Sequence, residues 1–349
     1  MEQKFEYFAS GRHKFLEQEF GACFREINEN FNEEVENSNS KIFVCVGNSV
    51  EEIELLKTLD TNRVIAFLYA DEIYNLKLNV SILRTKSIML VARSYPLWKF
   101  EIKSIINWLI QINEIRKYSG FNFSLIKDLL AGITIMLKQT IIKILEFFYH
   151  KKSFYIPLGY TNLFYDSFIA LRKEINEQGS LFNSEIQIRE LYRNFAINFI
   201  GQRGNTERRS AVKILSEYDN TKLIIRERFG GTLNSYEASA LTGSEFAHTL
   251  LQSKFTLCPS GNYSALSFRY MESLICGSIP LQKSNPITDP LFKNQKVSDK
   301  IPNLLWTKII KAANDMSESE RFQILEAEIE RQRSHTESIK LKILELMKV

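Results

Sequence analysis

Arg269 and Glu272 stand one helical turn apart, just behind a strand and a tight turn, in "SKFTLCPSGNYSALSFRYMESLICGSIPLQ" (253–282). "KFTLCP" reads as a strand that Pro259 ends, because proline supplies no ladder donor. Ser260 and Gly261 allow a tight turn whose backbone can approach a ligand closely. Ser267 suits the N-cap of a helix "FRYMESLIC", and Gly277 suits its C-terminal stop. Met271, Leu274 and Ile275 would face the sheet. The unit is strand, loop, helix, strand, with a helix start at the C-terminal end of a parallel strand, the edge where open α/β sheets bind ligands. A helix N-terminus carries unpaired N–H groups and about half a positive charge, which suits phosphate. Arg269 in the first turn can grip diphosphate oxygens with both arms of its fork. Glu272, on the same face, can accept from two vicinal ribose hydroxyls. The competing reading is an Arg269–Glu272 surface ion pair worth only ~0.3–0.5 kcal/mol.

These groups need a sheet to hold them. Apolar runs rich in Val, Ile and Phe predict strands at 41–46, 63–69, 87–92, 197–200, 222–225, 255–258 and 279–282. Helical periodicity falls at 51–59, 100–118, 124–149, 164–178, 206–217, 244–252, 267–276 and 303–314. The alternation implies α/β architecture with parallel sheets covered on both faces. It lapses between about 100 and 180, so two doubly wound units fit better than one sheet. The expected organisation is an N-terminal domain over 1–160 with a helical insertion and a linker region over 161–195. A C-terminal domain over 196–316 that carries the Arg269 and Glu272 unit and a helical tail over 317–349 follow. Ser317 and Glu320 have capping-box spacing at the start of that tail.

Composition narrows the function classes. The 349 residues are 44% hydrophobic and 25% charged, with a net charge of +4. That bias is too weak to argue for nucleic acid, though it suits an anionic ligand or an acidic membrane surface. Cys23, Cys45, Cys258 and Cys276 are irregularly spaced and read as buried free thiols of a reducing compartment. With four histidines and no HExxH spacing, no metal site is expected. The absence of GxGxxG after the first strand, of GxxxxGK[ST] and of GxSxG argues against a dehydrogenase, a P-loop kinase and an α/β-hydrolase. "LIKDLLAGITIMLKQTIIKILEFFY" (125–149) carries too many charges to span a membrane. It reads as a helix packed on the core or, alternatively, as one lying in a membrane interface.

The order "FTLCPSG", Arg269, "ESLICG", "SIPL" resembles the nucleotide-sugar-binding core of exostosin-like glycosyltransferases of the GT-B fold. Their pattern is similar to "FxLCPSG…R…EA…G…IPV". Weaker likenesses extend over about 40–285. "NFIGQRGNTERR" looks like the strand, Gly loop and Arg segment that opens the donor domain, so Arg208 or Arg209 could meet the diphosphate opposite Arg269. A solvated basic helix start is the alternative. "RVIAFLYADE" and "MLVARSY" look like acceptor-domain strands, and "YIPLGY" like the segment leading towards the interdomain cleft. The resemblance implies two Rossmann-like domains facing across a cleft. It implies sugar transfer from a nucleotide-diphosphate sugar to a hydroxyl of a glycan or glycolipid acceptor, with no cofactor. Inversion is the expected stereochemistry. Arg269, one of Arg208 or Arg209, and the helix start would stabilise the leaving diphosphate without a metal.

The base should come from the N-terminal half. Asp71 and Glu72 follow a strong apolar run, and either could take the acceptor's proton; a cap or solvated turn is the alternative. Arg93 and Tyr95 also follow a strand and would bind an anionic acceptor, unless they serve the core. Glu237 and His248 are further cleft candidates without motif support. The first residues, "MEQKFEYFASGRHKF", contain no apolar signal core. The resemblance then implies a bacterial-type enzyme of lipopolysaccharide or capsule synthesis, cytoplasmic and in peripheral contact with the inner face of the membrane. The alternative from another class is a nucleotide-sugar-binding or assembly subunit that has lost catalysis, which a donor-hydrolysis assay would separate.

Overall fold

A computed structural model of the protein describes residues 5–8, 42–47, 64–68, 76–86, 88–93, 102–119, 123–150, 153–155, 162–177, 193–202, 205–226, 242–259, 268–283 and 304–347. Two parallel sheets organise them. The first runs in chain order through β1 (Phe5–Phe8), β2 (Ile42–Gly47), β3 (Val64–Leu68), β4 (Ile88–Arg93) and β5 (Ser153–Tyr155). Each neighbouring pair is parallel. The short strands β1 and β5 and helix α1 (Leu76–Arg84) are additions to the expected elements.

The second sheet contains β6 (Phe195–Gln202), β7 (Thr221–Arg226), β8 (Ser253–Leu257) and β9 (Ile279–Leu281), in the order β7-β6-β8-β9. All its pairs are parallel. The chain leaves β6 towards β7, then returns to the other side of β6 for β8. That reversal is the doubly wound signature, and it places a crevice beyond the C-terminal ends of β6 and β8. Among the described strands the first sheet has no such reversal, so the doubly wound expectation is met there only in its parallel strands.

Alternation along β6 explains how the second sheet is covered. Ile197 and Phe199 face one side, with α5 (Thr206–Leu215), α8 (Trp306–Asn314) and Ile324 and Leu325 of α9 (Glu318–Met347). Ile200 faces the other, with Phe164 and Phe168 of α4 (Asn162–Glu177) and Ala247, Leu250 and Leu251 of α6 (Gly243–Leu251). A period of two on one strand therefore feeds two cores. The start of α9 is part of this packing, and its predicted capping box is formed by Ser317 and Glu320.

Two side chains tie distant segments together. Arg193 donates to the carbonyls of Leu250, Leu251 and Ser253 and to that of Cys276. One guanidinium thus satisfies the last carbonyls of α6 and those just beyond α7 (Phe268–Ile275), where a cation also meets the negative helix ends. Glu114 comes from α2 (Ile102–Ser119), an element of the chain's first half. It accepts from the backbone N–H groups of Trp306 and Thr307 at 2.9 and 3.0 Å and from the Thr307 hydroxyl at 2.8 Å. The local N-cap of α8, Leu305, has no side-chain cap bond. Glu114 supplies that cap from more than a hundred residues away. Glu114→Ala is expected to lower unfolding stability by ~2 kcal/mol, the sum of a lost cap and lost bonds to a charged group. Glu114→Gln, which keeps an acceptor, should lose less. Equal urea midpoints for wild type and Glu114→Ala would show that α8 is held by its apolar face alone.

Candidate donor-binding site

Arg208 and Arg269 flank the crevice between β6 and β8. Arg208 lies in the first turn of α5, which follows β6, and Asn205 caps that helix by accepting from the Arg208 N–H at 2.8 Å. Arg269 lies in the first turn of α7, which follows β8. Burial and the neighbouring Arg269 pull the Arg208 guanidinium down to about 10. Like charges held together out of water are costly unless an anion sits with them. Arg209, the alternative to Arg208, is turned to donate to the Thr206 hydroxyl at 3.0 Å.

Arg269 is held by β6. Its guanidinium lies over the Phe199 ring at 5.4 Å. Its Nη2 lies 2.7 Å from where a Cβ on residue 201 would stand, and Gly201 has φ +154°. Any other residue there would be strained and would collide with the arginine. "NFIGQ" therefore encodes a cradle: an aromatic face for the guanidinium and a gap through which it crosses the strand end. Nothing in the local spacing of Phe199, Gly201 and Arg269 reveals this, since the parts meet only when β6 and β8 pair.

Glu272 is buried at 5% exposure, one turn after Arg269. It is not an exposed surface partner, as the ion-pair alternative required. The helix behind it ends as expected: Gly277 has φ +69°. The N–H groups of Gly277 and Ser278 close back on Leu274 and Ser273 at 2.9 Å each, a Schellman stop. Cys258, at the end of β8, is a buried free thiol. Burial pushes it up to about 12, against the pull of Arg269, so it stays protonated and is no nucleophile at neutral pH.

Lys283 joins the same edge and escaped the sequence reading. It follows β9 and is 2% exposed, with Nζ 3.8 Å from Glu207 Oε1. Its ammonium makes no hydrogen bond to a described group. The signal was present in "SIPLQK": a lysine two positions beyond a fully buried strand lies at the ligand edge.

The remaining candidates divide into three groups. Arg93 is 1% exposed and committed to the fold. Its Nε and Nη2 donate to Glu146 at 3.2 and 3.0 Å, and its Nη1 donates to Asn79 at 2.8 Å. It locks β4 to α1 and α3 (Phe123–Phe148), the core role that was the alternative to acceptor binding. His248 is exposed on α6. Asp71, Glu72, Tyr95, Glu237, Ser260, Gly261 and Ser267 lie outside the described residues. Among the described residues no cluster of His, Cys, Asp and Glu could hold a metal ion.

Residues 178–327 match the family model of the RXYLT1 C-terminal domain. The match supports a glycosyltransferase. It spans the whole second sheet and every side chain placed in the crevice above, and it agrees with the exostosin-like resemblance of the "FTLCPSG" segment. A glycosyltransferase of this kind would bind a nucleotide sugar and an acceptor. Comparison with curated proteins found none that matches.

Proposed function

We propose that this chain moves a sugar from a nucleoside-diphosphate sugar to a hydroxyl of a glycan or glycolipid, by single displacement with inversion and without a metal. The observation that carries the reading is the apposition of Arg208 and Arg269 at the switch point of a parallel sheet. The diphosphate lies between the two guanidinium groups, with Lys283 on the β9 side. Glu272 accepts from the ribose hydroxyls one turn deeper. As the acceptor oxygen forms its bond to the anomeric carbon, the bond to the diphosphate oxygen breaks and negative charge grows there. Fixed cations in a water-poor crevice stabilise that charge more in the transition state than in the ground state. The acceptor proton passes to a carboxylate, Asp71 or Glu72, both of which follow β3 in the sequence.

Titration calorimetry tests the donor site. Wild type should bind nucleoside diphosphates and prefer them to the bare nucleoside. Glu272→Ala should weaken binding by ~1.5–3 kcal/mol, the scale of bonds to a charged acceptor. Wild type without measurable affinity for any of the common nucleoside diphosphates would remove this reading.

A chelator tests the charge assignment. With arginines and a helix start balancing the diphosphate, turnover should be the same with and without excess EDTA. Loss of turnover that a divalent ion restores would show that the arginines are not sufficient.

A further inference from the structure

The helix α3 has a buried side and, opposite it, an exposed apolar side. Gln139 and Ile142 are buried on one, where Glu146 meets Arg93. On the other, Leu130, Ile133, Leu137, Ile141, Ile144 and Phe148 remain exposed, Leu137 at 61% and Phe148 at 69%. At about 100° per residue these six fall on one stripe about 80° wide. A helix side that faces only water carries charges; an apolar side opposite the buried one has a second apolar environment. Helix α2 packs beside it, with Trp108 against Gly132, and adds Ile106, Leu109 and Ile110, each more than 40% exposed. The two helices fold back on one another as a hairpin, and each leaves an apolar side exposed.

The exposed charges among its described side chains are of one sign. Among the described side chains of the hairpin, the exposed charges are Arg116, Lys117 and Lys127, grouped around the turn between the helices. The carboxylates Glu114 and Glu146 are turned inward, to the start of α8 and to Arg93. An apolar stripe with a cationic end fits an anionic lipid surface: the stripe enters the acyl boundary and the cations meet the headgroup phosphates. A second copy of this chain fits less well, because a two-fold contact sets the same apolar and cationic patch on both partners with no exposed acidic group among the described residues of the hairpin to answer it. Among the described residues no helix is long and apolar enough to cross a membrane, so α3 would lie along the surface.

From this we infer that the exposed stripe of α3 docks the protein on anionic lipid bilayers. The inference stands apart from the donor site, and its test uses no nucleotide. The full chain is sedimented with phosphatidylcholine vesicles, with and without phosphatidylglycerol. Wild type should pellet with the anionic vesicles and much less with the neutral ones. Leu130→Glu/Leu137→Glu, at positions whose side chains already face water, should lose at least ~10-fold in partitioning with an unchanged Tm. Arg116→Glu/Lys127→Glu should remove most of the preference for phosphatidylglycerol, again by ~10-fold or more. A wild type that stays in the supernatant with both vesicles overturns the inference. So does vesicle binding that survives Leu130→Glu/Leu137→Glu. Light scattering separates the other occupant: a dimer that becomes a monomer in that variant, with no vesicle binding, would make the face a contact between copies.

Discussion

Arg269→Ala should weaken nucleoside-diphosphate binding by roughly 1.5–3 kcal/mol, the scale of hydrogen bonds to a charged group, which is about 10–150-fold in Kd. The guanidinium is pre-positioned by Phe199 and Gly201, so its loss removes an interaction that needs little ordering on binding. Arg269→Lys keeps the charge but loses both the fork and the aromatic seat, and most of the loss should remain. Gly201→Ala should produce the same defect from the other side, since the added methyl would stand 2.7 Å from Nη2. The unliganded fold should tolerate Arg269→Ala well. Arg208 then loses a like-charged neighbour, so Tm without nucleotide should stay level or rise while the nucleotide-induced rise disappears. A ligand-induced Tm shift of wild-type size in Arg269→Ala would place the diphosphate elsewhere.

The largest kinetic effect is expected at the proposed base. A positioned general base contributes typically ~10²–10⁴ in rate. Asp71→Asn keeps shape and polarity but cannot take the acceptor proton, so kcat should fall by about that factor. Donor affinity should stay near wild type, because the donor groups come from the second sheet. Glu72→Gln is the companion variant: if it carries the loss instead, the base is Glu72. Near-normal kcat in both amide variants would make the acidic pair structural and send the search for the base to other carboxylates of the first sheet's loops.

Much of the frame was legible because it rests on local rules. Seven strands follow from short apolar runs, and the start and stop of α9 and α7 follow from Ser317, Glu320 and Gly277. Periodicity placed α3 correctly but could not assign its faces. A helix with apolar residues on more than one side gives the same pattern whichever side is covered, so the exposed stripe from Leu130 to Phe148 appeared only with the packing. Arg93 shows the opposite limit. An arginine after a strand reads equally as a ligand group or a core tie, and the choice was made by Glu146, from a helix fifty-three residues later.

The sequence by itself determined the strand, helix and strand within 253–282, with Arg269 and Glu272 one turn apart near the helix start. Those features depend on neighbours within a few residues, through caps, turns and the helical repeat. Tertiary structure alone decided the rest. It set Arg208 beside Arg269, seated Arg269 on Phe199 across Gly201, brought Lys283 to the same edge, and had Glu114 cap α8. Each of these joins residues that approach only when parallel strands pair in the order β7-β6-β8-β9 or when a helix from one half packs on the other. That order is set by burial summed over whole sheet faces, and no local window of the chain contains it.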